Sequence, residues 1–406
     1  MDERGDAAID ARRRLAKARR VVIKLGTSVV TGTNAALHTD NLTLLASAVT
    51  TLKKEGRQVV LVSSGAVGFG ATRLGLNRAR LSDVVVRQAC AAVGQSLLMH
   101  AYEQLFRPGD VKIAQVLLTE DDFTDRRRYS ALRQTMEKLL KLGVLPIVNE
   151  NDTVSTAELE YLEGGHGRVF SDNDRLAALV MSKLEAEALV MLSDVDGLLN
   201  RCESPHEKDG KTVEAGAGQL NDLHSHVIST VEEVTPELRA LATGPSAGGR
   251  GGMLTKLEAA EIAMLAGGVA VIANGQRADT LTRIFAGEQV GTVFSSHSRM
   301  AGKRRWIAYA ANVHGRLIVN DGARAALVGS KASLLSSGVV RIESHFAPHD
   351  VISIADTEGR EFARGIANCD SAEAENLIGD ENRQSPRAKP RVLVARDNIV
   401  LLKSDK

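Results

Sequence analysis

Between Arg20 and about Phe294 the chain alternates short, continuous apolar runs with longer segments of helical pattern. The runs are Val21–Leu25, Val59–Val62, Ile113–Leu118, Val144–Val148, Ala188–Leu192 and Val269–Ala273. Most are rich in Val, Ile or Leu, and turn or capping residues bound each one. Runs without polar alternation suit strands buried on both faces. The segments Asp40–Glu55, Ser82–Leu105, Ser130–Leu142, Asn173–Lys183 and Thr255–Ala266 predict helices between them. Strand and helix in alternation predict an α/β fold, a mostly parallel sheet covered on both faces. That architecture hosts many activities and names none.

The pattern changes after about Trp306. Short alternating segments, Arg316–Val319, Val339–Ile342, Val351–Ile354 and Val392–Val394, lie between Gly, Asp and Pro turns. They predict a separate small β-rich domain over 312–403, following an α/β domain over 20–300 and an N-terminal extension over 1–19. Arg12, Arg13, Arg14, Lys17, Arg19 and Arg20 make the extension basic, but Asp2, Glu3, Asp6 and Asp10 dilute it. A solvated helix is the expectation there. Polar, Gly-containing stretches at 200–230 and 243–252 read as an excursion from the core and a loop entering a helix.

Composition narrows the classes. With 51 basic and 50 acidic residues in 406, no global field points to nucleic acid or an anionic membrane. No apolar run is long enough to span a bilayer, and Val21-Val22-Ile23 is too short for a signal-peptide core. Cys90, Cys202 and Cys369 are far apart, with no ligand spacing and no even disulfide set. A reduced, cytoplasmic setting is expected.

Candidate chemistry sits where strands end, the edge at which open parallel sheets bind ligands. Lys24-Leu25-Gly26-Thr27-Ser28 offers a cation, a close backbone approach and two hydroxyls, suited to a phosphate or to a plain surface turn. Ser63-Ser64-Gly65-Ala66 presents free N–H donors to an anion, or simply packs a helix closely on the sheet. Asn149-Glu150-Asn151-Asp152 and Ser171-Asp172-Asn173-Asp174 bring many carboxylates and amides against a buried strand, which is costly unless something binds them. A substrate ammonium, a lysine or Mg²⁺ would each serve, and a helix cap accounts for part of the second group. Ser193-Asp194 ends a strand, while Gly251-Gly252-Met253-Leu254-Thr255-Lys256 leads a Gly-rich loop into a helix. The Walker A order is absent, yet donors, helix N-terminus and cation are all supplied. Two lysines on two such loops with an acidic cluster between them point to phosphoryl transfer, which needs positioning and charge neutralisation above all.

These motifs in this order resemble the glutamate 5-kinase family of amino acid kinases. The matching stretches are VVIKLGTSVVTG, VLVSSGAVGFG, AAVGQSLLMHAYEQLF, QVLLTEDDF, LGVLPIVNENDTVSTAELE, SDNDRLAALV, VMLSDVDGLL and GGRGGMLTKLEAAEIA. The resemblance implies an αβα sandwich, ATP and Mg²⁺ as cosubstrates, the metal held mainly by ATP phosphates, and phosphorylation of the γ-carboxylate of L-glutamate, the first step of proline biosynthesis. It implies ATP-binding residues Lys24, Ser193, Asp194, Arg250, Gly251, Gly252, Met253, Leu254, Thr255 and Lys256. Ser64, Asp152 and Asn173 would bind the substrate. Lys24, Lys256 and Asp174 would be catalytic, the lysines on the transferring group and Asp174 orienting them. It further implies a homo-oligomer, dimer or tetramer, feedback by proline, and a downstream reductase as partner.

GRLIVNDGARAAL and RDNIVLL resemble the PUA domain. With few aromatics there, essentially Phe346 and Phe362, base stacking is poorly provided for, and a structural or regulatory role is expected over RNA binding. The sequence departs from the family between Asp152 and Asp172, where Tyr161–Arg168 lengthens the segment, and at Ser171, where the family commonly has Gly. Glutamate affinity and proline sensitivity are the properties this segment would alter. Two other readings are an amino acid kinase for a different acceptor and an RNA-binding protein on a kinase-like scaffold.

Overall fold

The computed structural model describes residues 3–31, 39–119, 121–154, 173–200, 226–242, 252–295, 300, 302–310, 313–330, 332–382 and 391–402. Two compact units emerge: Met1–Glu120 with Ser130–Arg299, and Asp121–Tyr129 with Met300–Lys406.

In the first unit the apolar runs become strands β1 (Arg20–Leu25), β2 (Gln58–Val62), β3 (Ile113–Leu118), β4 (Leu145–Glu150) and β5 (Ala188–Ser193). A short pair, β6 (Leu199–Asn200) and β7 (His226–Val227), stands apart. Then come β8 (Thr230–Val231), β9 (Val269–Asn274) and β10 (Thr292–Ser295). The main sheet runs β3-β4-β2-β1-β5-β9-β10-β8, and every pair is parallel except β9 with β10. From β1 the chain moves to β2 on one side, and after β4 it returns to β5 on the other. The crevice at the carboxyl ends of β1 and β5 is therefore the topological switch point.

Except at the edge strand β3, where only Leu118 is buried, both faces are buried, which is why these strands read as continuous apolar runs. Val21, Ile23, Val59, Leu61, Val190 and Val271 share one core with the helices Glu3–Lys17, Thr39–Lys54, Val84–Phe106 and Thr280–Phe285. Their alternates, such as Val22, Val60, Leu189 and Ile272, are equally buried. The helices Asn173–Leu184 and Met253–Leu265 pack on each other and against β1, β5 and β9.

The N-terminal helix differs from the solvated extension the sequence suggests. Ala11, Leu15 and Ala18 are buried in the core. The Arg12 guanidinium donates to the carbonyls of Glu288, Val290, Ser229 and Gly291 at 3.0–3.3 Å. Its charge pattern hid this, because a guanidinium can be buried when backbone oxygens receive its N–H groups.

The second unit is a six-stranded sheet of β11 (Val313–Val319), β12 (Leu334–Leu335), β13 (Val339–Glu343), β14 (Val351–Ala355), β15 (Glu361–Ala367) and β16 (Val392–Leu401), in the order β12-β16-β15-β14-β11-β13. Leu317, Val319, Ile354, Phe362 and Val394 form its core. The segment Asp121–Tyr129 belongs to this unit, where the Trp306 indole donates to the Phe123 carbonyl at 2.9 Å. Among the described residues no helix is long and apolar enough to cross a membrane.

Candidate active site

Three elements deliver one charge cluster to the switch point. Lys24 is the penultimate residue of β1, in register with Val62 of β2 and Met191 of β5. Asp174 stands in the first turn of the helix Asn173–Leu184, and Lys256 in the first turn of Met253–Leu265. Lys24 Nζ lies 2.6 Å from Asp174 Oδ1, and Lys256 Nζ lies 3.1 Å from Oδ2. Asp174 is fully buried, and both lysines are nearly so.

A buried carboxylate is costly unless paired. Burial pushes Asp174 toward its neutral form, but Lys24 and Lys256 more than offset this and hold it ionised, below the ordinary carboxylate range. One carboxylate against two ammoniums leaves one net positive charge at two helix N-termini. Both features favour an anion there. Thr255 joins the cluster, with Oγ1 donating to Gly252 O at 2.9 Å and lying 3.4 Å from Asp174 Oδ2.

Beside the charges lies an amide cluster. Asn173, the residue before Asp174, directs Nδ2 at Ser63 O (2.9 Å), Ser64 Oγ (2.8 Å) and Asn149 Oδ1 (3.2 Å). Asn149, at the end of β4 and buried, donates through Nδ2 to Gln95 Oε1 at 2.9 Å. Below it the Ser63 hydroxyl and Tyr102 hydroxyl are 2.7 Å apart. Burial raises the Tyr102 phenol to about 12, with the Ser63 hydrogen bond pulling the other way, so the ring stays a neutral hydroxyl.

Helix packing puts Gln95 in reach. A Cβ on Gly70 would fall 1.8 Å from Cys90 O, and one on Gly94 would fall 1.8 Å from Ala66 O. The helices Ala66–Arg73 and Val84–Phe106 therefore meet backbone to backbone, which glycine alone permits. Within AAVGQSLLMHAYEQLF nothing in the sequence marks Gln95 itself as a site residue. The glycine before it was the available signal.

The remaining candidates fall around these two clusters. Ser193 ends β5 and donates to Asp194 Oδ1 at 3.0 Å. Asp152 lies in the turn after β4, half-buried. Met253 and Leu254 begin their helix, with Gly252 as its cap. Arg250, Gly251, Ser171, Asp172 and the lengthened segment Tyr161–Arg168 lie outside the described residues.

The amino acid kinase family model matches residues 19–274, and the PUA domain model matches 315–387. A glutamate 5-kinase of Myxococcus xanthus is 42% identical over 367 residues, covering 90% of each chain. That of Laribacter hongkongensis is 41% identical over 391 residues, covering 95% of this chain and 98% of its own. That of Caldanaerobacter subterraneus subsp. tengcongensis is 40% identical, covering 89% of this chain and 90% of its own. A buried Lys–Asp–Lys cluster at the switch point of an amino acid kinase domain, together with near-full-length similarity to such relatives, places this chain in the glutamate 5-kinase family.

Proposed function

We propose that this protein transfers the γ-phosphoryl group of ATP to the γ-carboxylate of L-glutamate, giving L-glutamyl 5-phosphate and ADP, the entry reaction of proline biosynthesis. The observation that carries the reading is the pair of buried lysines on Asp174, with a polar amide cluster one residue away. The net positive charge suits a transferring phosphoryl group, whose equatorial oxygens need neutralisation more than covalent chemistry.

In this reading Lys24 and Lys256 hold the γ-phosphoryl oxygens, and Asp174 aims both ammoniums. Ser193, Asp194 and the stretch Arg250–Lys256 hold the nucleotide. Mg²⁺, held mainly by the nucleotide's own phosphates, would supply further charge neutralisation there. Ser64, Asp152 and Asn173 hold glutamate, Asp152 taking its ammonium. A carboxylate oxygen forms the new bond to phosphorus while the bond to the β–γ bridging oxygen breaks, and ADP leaves with that electron pair. No base is required, because a carboxylate is already ionised at neutral pH. A homo-oligomer, proline feedback and delivery of the acyl phosphate to a reductase are further proposals resting on family membership.

The test is ADP release from MgATP with L-glutamate, aspartate, acetylglutamate, carbamate and uridylate as acceptors, with hydroxylamine present to trap an acyl phosphate. Glutamate-dependent turnover with hydroxamate formation is expected. Turnover only with another acceptor would overturn the substrate assignment.

A further inference from the structure

The amide cluster has a direction. The Ser63 carbonyl can only accept, so Asn173 must turn its NH₂ toward it, at 2.9 Å. The same NH₂ group faces Asn149 at 3.2 Å, so Asn149 must present its oxygen there and its own NH₂ to Gln95. Gln95 must answer with Oε1, at 2.9 Å. One backbone carbonyl thus fixes the orientation of three amides in a row. The two ends of the row are left over: Gln95 Nε2, a donor, and Asn173 Oδ1, an acceptor. Both atoms are buried and have no hydrogen-bond partner among the described residues, and Gln95 as a whole is only 8% exposed. A buried polar group without a partner is costly, and such groups mark where something else binds.

Sheet register places these ends relative to the lysines. Val62 of β2 pairs with Lys24 on one side and Val148 on the other. Asn149, one residue beyond Val148, is therefore two strand spacings from Lys24, about 10 Å along the edge. Gln95 approaches from the Asn149 end, whereas Asn173 adjoins Asp174. An acceptor with its reacting carboxylate at the lysines would bring its ammonium to Asn173 and its second carboxylate to Gln95.

We infer that Gln95 determines acceptor specificity by donating through Nε2 to the α-carboxylate, with Asn173 Oδ1 accepting from the α-ammonium. This rests on the glutamate reading given above. The polarity set by Ser63 makes the site selective: Gln95 offers only a donor, and although a carboxamide can turn its C=O to it, the ionised α-carboxylate makes the stronger, charge-assisted bond and is preferred.

Gln95→Glu isolates the effect. The carboxylate keeps an oxygen for Asn149 Nδ2 and replaces the free NH₂ by a second oxygen. The measurements are hydroxamate formation with L-glutamate and with its α-carboxamide, the KM for MgATP, and the melting temperature. The KM for L-glutamate should rise about 10-fold or more, the loss of one buried hydrogen bond to a charged group. The ratio of kcat/KM for the α-carboxamide over L-glutamate should shift toward the amide, while the KM for MgATP holds. Gln95→Met, with neither amide group, guards against a folding failure of the acid and should weaken glutamate without improving the amide relative to it. An unchanged glutamate KM, or an equal loss for both acceptors alongside a lower melting temperature, would overturn the inference. Absence of glutamate turnover by the wild type would overturn the functional reading and the inference with it. Wild-type turnover with unaltered Gln95 variants would overturn the inference alone.

Discussion

Replacing Asp174 by Asn exchanges one carboxylate oxygen for an amide nitrogen and removes the negative charge between Lys24 and Lys256. At 2.6 Å and 3.1 Å both ion pairs are short, and all three groups are buried. Breaking a buried pair from one side costs about 3–5 kcal/mol, because the partner's charge stays uncompensated. The two pairs share one carboxylate, so their losses overlap and about 3–5 kcal/mol is taken for the whole change. The melting temperature of the first unit should fall by roughly 5–10 °C. Turnover should fall about 10²–10³-fold, the scale for losing one preorganised electrostatic element. The KM for MgATP should stay level or drop, since removing the Asp174 charge makes the cluster more positive and more attractive to phosphate. The pH dependence has a definite sign. Lys24 and Lys256 hold the folded-state pKa of Asp174 below its ordinary value, after burial has pushed it the other way. Its contribution is therefore present above the unfolded value, about 3.9, and is lost only as pH falls through the depressed folded value. The gap in melting temperature between wild type and Asp174→Asn should stay flat from about pH 8 to pH 5 and close in acid. Circular-dichroism melts across that range, with steady-state kinetics at neutral pH, make the assay. Equal melting temperatures at neutral pH, or a large rise in the KM for MgATP with kcat preserved, would refute the reasoning.

If the Lys256 ammonium acts on the transferring phosphoryl group as proposed, Lys256→Ala should lower kcat by at least about 100-fold while the glutamate KM moves little; a change confined to KM would contradict it. Gly94→Ala forces a methyl to within 1.8 Å of Ala66 O. The two helices must separate, and a loss of soluble protein or a melting temperature lower by several degrees should result. Arg12→Ala strips donors from the carbonyls of Glu288, Val290, Ser229 and Gly291 and should cost about 2–4 kcal/mol in urea unfolding, whereas a truly solvated arginine would cost almost nothing.

The parallel core was legible because strands buried on both faces have no polar alternation to obscure them. Val21–Leu25 and Ala188–Leu192 come through almost unchanged as β1 and β5. Lys24, Asp174 and Lys256 were legible as charged residues at strand ends and helix starts, and the fold brings them together across 232 positions. Other features had no local signature. The helix Ala66–Arg73 contains Gly68 and Gly70, which weaken helical propensity, and packing against Val84–Phe106 overrides that weakness. Strand β10, four residues long and antiparallel to β9, falls below the length at which periodicity speaks. Phe123 joins the second unit through Trp306, 183 residues away, a choice made by long-range packing. Gln95 looks like one more polar residue on a helix until the direction of the amide row is traced from Ser63.

The central claim is that a carboxylate oxygen of the acceptor attacks the γ-phosphorus. L-glutamate carrying ¹⁸O in its γ-carboxylate, turned over with MgATP and hydroxylamine, tests it directly. Hydroxylamine attacks the acyl carbon and releases phosphate that retains the oxygen between carbon and phosphorus. Mass spectrometry of the phosphate should find one ¹⁸O in each molecule released, in step with hydroxamate. Unlabelled phosphate would mean that water, and not the glutamate carboxylate, receives the phosphoryl group.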